Sequence, residues 1–377
     1  MSTPVILEYF TAMGEKNASD LYLTVGFPPT LRIEGALEAV SPDPLTSDNI
    51  NEIISSVLTS RQRREFETQM ELNTSLDVGQ YGRFRVNVLR QRQHSALVLR
   101  RIISTIPNFE QLRLPKLLEG LALEKRGLIL VTGMTGSGKS TTLASMIDYR
   151  NRNEQGHIIT IEDPIEYFHE HKKSVITQRE VGVDTESYSV ALKNALRQRP
   201  DTILVGEIRD REVMEQALIA AETGHLCLAT LHTTNAYQSI ERVVNLFSEE
   251  YQNQVRLNLA MNLKAIISQR LVPSLKGGMT VVIEVMLNQG LVKELIHKGD
   301  IGKIKDVMEQ NNQLGMCTFD QSLERAYRDG FINEATALTY ADQAGDLKIR
   351  IQQINLGESS GKELLREMDT SLLSISD

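Results

Sequence analysis

Between residues 119 and 286 the chain repeats one pattern. A short apolar run is followed by a longer stretch in which apolar positions recur every three or four residues. The short runs predict buried strands at 127–132, 157–161, 202–205, 226–230 and 280–285. The periodic stretches predict helices, among them 188–197, 211–223 and 236–246. Strand and helix in alternation imply a largely parallel sheet with crossover helices. Residues 1–105 are patterned differently and predict a small α/β domain. Leu21-Tyr22-Leu23-Thr24-Val25 and Leu31-Arg32-Ile33 read as strands around a turn at Gly26-Phe27-Pro28-Pro29. Ile50, Ile53, Ile54, Val57 and Leu58 have helical spacing within 48–70. Phe84, Val86 and Val88 alternate with Arg83, Arg85 and Asn87 as in a half-buried strand, with 97–103 as its partner. Pro107 and Pro115 bracket a linker at 106–118, residues 287–350 predict short helices, and 351–377 reads as a loosely ordered tail. The tail is acidic: Glu358, Glu363, Glu367, Asp369 and Asp377 stand against Lys362 and Arg366.

A length of 377 residues fits two or three domains. The net charge of -8 argues against a nucleic-acid machine, as does the absence of tryptophan. Cys227 and Cys317 are the only cysteines, which suits a reducing cytosol. No apolar run is long enough to span a bilayer and no secretory signal opens the chain, so membrane contact is expected only through partners.

Candidate chemistry starts at Gly133-Met134-Thr135-Gly136-Ser137-Gly138-Lys139-Ser140-Thr141, which fits G-x-x-x-x-G-K-[ST]. It follows the apolar run Leu128-Ile129-Leu130-Val131 and precedes a helical segment from Thr142 to about Tyr149. Strand, glycine loop and helix are the setting of a phosphate-binding loop. Glycines let the backbone curl and aim its N–H groups at a phosphate, and the helix points its positive end at the same anion. Lys139 would reach the β- and γ-phosphates of ATP, and the Ser140 hydroxyl would ligate Mg²⁺.

Three further segments carry polar residues at predicted strand ends. Ile158-Ile159-Thr160-Ile161 runs into Glu162-Asp163-Pro164-Ile165-Glu166. Thr202-Ile203-Leu204-Val205 ends in Gly206-Glu207, with glycine where a metal-coordinating aspartate is usual. Glu207 would then act on Mg²⁺ through water, or on the attacking water itself. Either glutamate can polarise that water, Glu162 being preferred. His225 and His232 bracket the strand 226–230, and a histidine at a strand end can report a γ-phosphate by hydrogen bonding. No cysteine pair stands near them at zinc-ligand spacing.

Together these segments resemble the secretion-type ATPases, and within them the type IV pilus retraction motors of the PilT/PilU family. The Walker A motif is 133–140 and the aspartate-rich box 160–166. The Walker B motif is 203–207, glycine included, and the histidine box runs from Ala221-Glu222-Thr223-Gly224-His225 through Thr230-Leu231-His232-Thr233-Thr234. Gly82-Arg83-Phe84-Arg85-Val86-Asn87 and Leu314-Gly315-Met316-Cys317-Thr318-Phe319-Asp320 match as well. The resemblance implies a PAS-like N-terminal domain, a RecA-like ATPase core (119–286), a C-terminal helical subdomain (287–350) and a homohexameric ring. It also implies ATP near the seam between neighbouring subunits, with Arg83, Arg85, Arg100 and Arg101 as candidates to approach the phosphates. A pilus platform protein at the inner membrane and a second, PilT-like ATPase are the implied partners of a cytoplasmic motor. The chain departs from the PilT pattern at Gly290-Leu291-Val292-Lys293-Glu294-Leu295-Ile296, which lacks the usual arginine, and in its acidic tail. Both features look more like PilU, the accessory paralogue.

Three rivals predict other features. A pilus-extension or type II secretion ATPase usually bears a four-cysteine zinc module, which two distant cysteines cannot build. A RecA-like translocase should show a basic strip or stacking aromatics. A scaffold that only binds ATP is expected to have lost Lys139, Glu162 or Glu207.

Overall fold

The computed structural model describes residues 5–102, 105–311 and 314–356. Ile103 of the predicted 97–103 strand, and the tail charges from Glu358 to Asp377, lie outside them. The chain divides into two compact units. One combines Met1–Ile106 with Asp163–Phe168 and Glu180–Asp184; the other holds Pro107–Glu162, His169–Arg179 and Thr185–Asp377.

The first unit is built on a six-stranded antiparallel sheet. Its strands are β1 (Asp20–Thr24), β2 (Thr30–Ile33), β3 (Ala36–Ala39), β4 (Glu71–Asp77), β5 (Arg83–Gln91) and β6 (His94–Ile102), in the order β3-β2-β1-β6-β5-β4. Two-residue turns join β2 to β3 and β5 to β6. Glu34 and Gly35 in the first, and Arg92 and Gln93 in the second, have positive φ. That conformation matches the twist of paired strands. The alternation along β5 is realised: Phe84, Val86 and Val88 are fully buried and Arg85 is exposed. They pack with Phe10, Met13, Leu21, Leu23, Ile50, Leu97 and Leu99 in one core. The helical stretch predicted at 48–70 is two helices, Ser47–Val57 and Ser60–Gln69. Thr46 with Asn49, and Thr59 with Gln62, form capping boxes. Thr59 therefore ends one helix and starts the next rather than lying inside a single one.

The second unit holds a seven-stranded sheet. Its strands are β7 (Gly127–Thr132), β8 (Gly156–Glu162), β9 (Ser174–Glu180), β10 (Thr202–Val205), β11 (Leu226–Leu231), β12 (Leu263–Pro273) and β13 (Met279–Leu287). The order is β13-β12-β7-β11-β10-β8-β9. From β12 to β8 neighbours run parallel, and β13 returns antiparallel to β12. β7 and β11 are buried at every residue, as strands covered on both faces must be. β9 and β12 were not predicted. β9 is half polar, and Ser268, Gln269 and Arg270 interrupt the apolar run of β12.

The C-terminal helices pack around Val272, Val282, Leu323, Ile332, Leu347 and Ile351. Residues 351–356, read from sequence as the start of a polar tail, are helical, and Ile351 is fully buried. Among the described residues no helix is long and apolar enough to cross a membrane.

Candidate nucleotide site

The loop Gly133–Gly138 leaves the C-terminal end of β7 and enters the helix Lys139–Asn153. Gly133 has φ 147°, and a Cβ there would lie 2.5 Å from both the Gln269 carbonyl oxygen and Ser137 Oγ. Only glycine fits that approach. Gly136 and Gly138 also have positive φ. The helix has no side-chain N-cap, so its first amides are available to an anion. Lys139 is buried, and its Nζ donates to the carbonyls of Gly133 (2.8 Å) and Met134 (3.0 Å). Burial pushes its ammonium below the ordinary lysine range, while the nearby Glu207 carboxylate acts the other way. Ser137 Oγ is buried without a hydrogen-bond partner. An orphaned hydroxyl beside a buried ammonium is the polarity that a phosphate oxygen satisfies. Thr135 and Ser140 are exposed on the same loop and first turn, and Thr141 is half-buried.

Because β7, β11, β10 and β8 run parallel and in that order, their C-terminal ends share one edge of the sheet. Gly133, His232, Glu207 and Glu162 follow them in the same order. Ligands of open α/β sheets bind along this edge. Strands lie about 4.8 Å apart, so the strand of Glu162 is roughly 14 Å from β7 and that of Glu207 roughly 10 Å. Glu207 Oε2 accepts from Arg209 Nε at 2.8 Å, and Oε1 lies 3.3 Å from His232 Nε2. Glu162 Oε1 instead accepts from Thr160 Oγ1 (2.7 Å) and Gln178 Nε2 (3.4 Å). Glu207 is the carboxylate whose field reaches Lys139.

Gly206 has its own reason. Its N–H donates to Ile161 O (2.8 Å) and its carbonyl accepts from Thr230 Oγ1 (2.5 Å). A Cβ would meet Tyr188 Oη at 2.9 Å and Glu162 Cα at 3.2 Å. The strand ends pack too closely for an aspartate there.

The histidines separate. His232 follows β11 on the loop edge, whereas His225 precedes it at the opposite edge, about 20 Å away along a six-residue strand. His225 Nδ1 lies 3.0 Å from Ala220 O and 3.1 Å from Thr223 Oγ1, and its carbonyl accepts from Gly127 N. Within one chain it cannot meet a γ-phosphate held by the loop. His225 thus stands away from the loop edge on which His232 lies.

A sequence model of the type II/IV secretion system protein family matches residues 9–292. The chain belongs to that family. Members similar to it over nearly their whole length include the type IV pilus ATPase PilU of Pseudomonas aeruginosa. The two are 47% identical over 367 residues, covering 97% of this chain and 95% of the relative. The type IV pilus retraction ATPase PilT of the same organism is 40% identical, over 88% of this chain and 96% of the relative. The crystal structure of the pilus retraction motor PilT with bound ADP superposes with a TM-score of 0.85 at 43% identity. The match covers 89% of this chain and 97% of that one.

The four arginines that the family resemblance singled out lie in the first unit and do not behave alike. Arg83 Nη2 donates to Glu180 Oε2 (2.7 Å) and Ser75 Oγ (2.7 Å), and the guanidinium stacks over Phe168. Both ions of the Arg83–Glu180 pair are largely buried. Arg83 therefore ties its own unit together. Arg85, Arg100 and Arg101 line one depression with Pro164, Glu166 and Tyr167. Arg100 also donates to Asp20 Oδ1 (2.8 Å), which raises its already high basicity.

Gln269 is a site residue that sequence reasoning missed. Its Nε2 donates to Thr142 Oγ1 (2.8 Å) on the helix after the loop, and its backbone carbonyl packs on Gly133. The available signal was the polar Ser268-Gln269-Arg270 triplet inside an apolar run, a buried-polar pattern that demands partners.

Proposed function

We propose that this chain is an ATP-hydrolysing motor that drives or assists type IV pilus retraction. The observation that carries the reading is the shared sheet edge on which the Lys139 loop, His232 and Glu207 follow one another. The near full-length similarity to PilU and PilT, and to the PilT fold determined with ADP, supports it. Loop amides and Lys139 hold the triphosphate, and Glu207 orients the attacking water as a hydrogen-bond acceptor. The exposed Ser140 hydroxyl would hold Mg²⁺, with Glu207 acting through water, and the ion would supply positive charge toward the phosphate oxygens. His232, beside Glu207, registers the γ-phosphate and transmits its loss.

The working form is a homohexameric ring in which a PAS-like domain of one subunit packs on the RecA-like domain of the next. Arg85, Arg100 and Arg101 present cations to a neighbour's phosphates. The ring works in the cytoplasm on a platform protein of the inner membrane, and contacts the membrane only through it. The arginine-free segment Gly290–Ile296 and the higher identity to PilU favour an accessory role beside a PilT-like ATPase. Light scattering and ATP turnover of the full chain, alone and with such an ATPase, test this. A ring of six whose turnover rises on mixing supports it; a monomer with no turnover under either condition overturns it.

A further inference from the structure

Glu284 is a carboxylate on β13 that is only 3% exposed. Its Oε1 accepts the N–H of Ala236 at 2.7 Å. Ala236 is the first residue of the helix Ala236–Asn245, which begins just past His232-Thr233-Thr234-Asn235. A carboxylate there also meets the positive end of the helix. Across the sheet Glu284 pairs in register with Ser268, whose hydroxyl helps to hold the carboxyl's pKa down. Ser268 pairs in register with Thr132, whose Oγ1 donates to Ser268 Oγ at 3.0 Å. Thr132 is the residue before Gly133, and both hydroxyl residues are fully buried. One buried chain thus runs from the base of the phosphate loop, through β12, to the start of the helix behind His232.

We propose that Glu284 is a positioning residue that couples the phosphate loop to the His232 segment through Ser268 and Thr132. The proposal rests on the ATPase reading given above. A buried glutamate is costly to keep unless its charge does something that an apolar side chain cannot. Here an ionised carboxylate grips the Ala236 amide more strongly than a neutral one would. The other groups around it are Arg270 on β12, which is engaged by Asp342 (2.7 Å), Asp342 itself, and Cys317, whose backbone bridges Val285 and whose thiol donates to Ile283 O (3.4 Å). Burial keeps that thiol protonated. Burial, reinforced by Asp342, pushes the Glu284 carboxyl up to about 7 against the pull of the Ala236 amide, Ser268 and Arg270. The grip is therefore strong above neutrality and weakens below it.

The test compares the full-length wild type with Glu284→Gln by hydrogen exchange and by the pH profile of ATP turnover. At pH 8, peptides covering 232–238 and 131–138 should both exchange at least threefold faster in the variant. At pH 5.5, where the wild-type carboxyl is protonated, the difference should vanish and melting temperatures should agree. Wild-type kcat should fall severalfold from pH 8 to pH 6, and Glu284→Gln should stay flat at the lower level with KM within twofold. Equal exchange at pH 8, a change confined to β13, or a variant profile parallel to the wild type would overturn the coupling. If Glu284→Gln does not fold, Ser268→Ala severs the link to Thr132. It should speed exchange at 131–138 while leaving 232–238 unchanged; no change at 131–138 counts against the proposal. A wild type without turnover would sink the ATPase reading alone, because the exchange arm does not need it.

Discussion

At Gly206 the space for one methyl group separates two strand ends that carry the acidic edge. Gly206→Ala puts a carbon 2.9 Å from Tyr188 Oη. Overpacking of this kind costs about 1–3 kcal/mol. Chemical denaturation should show that loss, and Tyr188→Phe in the same chain should recover part of it because the clashing atom is the hydroxyl. Glu180→Ala strands the buried Arg83 guanidinium. Breaking such a pair typically costs about 3–5 kcal/mol, so the first unit should melt earlier while loop-bound nucleotide affinity stays unchanged. The two histidines offer a sharper contrast. His232→Ala removes the neighbour of Glu207 on the loop edge, whereas His225→Ala alters the far edge. Turnover assays should show the larger loss for His232→Ala, by tenfold or more; equal losses would mean that strand polarity does not separate their roles.

At the scale of elements, the strands that carry the nucleotide site are the ones that hydrophobic pattern exposes. β7, β10 and β11 are largely apolar and buried runs, β8 is buried at Ile158–Ile161, and the residues of the edge stand at or just past their C-terminal ends. β12 was not legible for the opposite reason. Its Ser268, Gln269 and Arg270 are partnered by Thr132, Thr142 and Asp342, contacts made only after the chain has folded. Likewise, His225 and His232 look equivalent in sequence, and only the direction of β11 tells them apart. The split of the 48–70 helix was written in Thr59-x-x-Gln62, a local capping signal outweighed by apolar spacing. Thr59→Ala should cost about 1 kcal/mol of stability, measurable by thermal melting.

At the scale of the whole molecule, stability should carry the mark of Glu284. Its carboxyl is raised from an ordinary value of 4.5 to about 7 by burial. Between those values the folded state holds a proton that the unfolded state has lost. The stabilisation is thus complete below pH 4.5, is lost as pH rises through 7, and amounts to a few kcal/mol at most. Glu284→Gln removes this dependence, so its melting temperature should match the wild type's near pH 5 and exceed it by pH 8, while the 232–238 and 131–138 amides still open locally more often in the variant. A difference that stays constant with pH would place the titration elsewhere.

The central claim is that one sheet edge binds and hydrolyses ATP. ATP turnover by the size-checked full-length protein, beside Lys139→Ala, Glu207→Gln and Glu162→Gln, tests it most directly. The account predicts turnover in the wild type, a loss of at least a hundredfold in Lys139→Ala and Glu207→Gln, and a smaller loss in Glu162→Gln. Undiminished turnover in Lys139→Ala, or ATP binding by the wild type without hydrolysis, would contradict it.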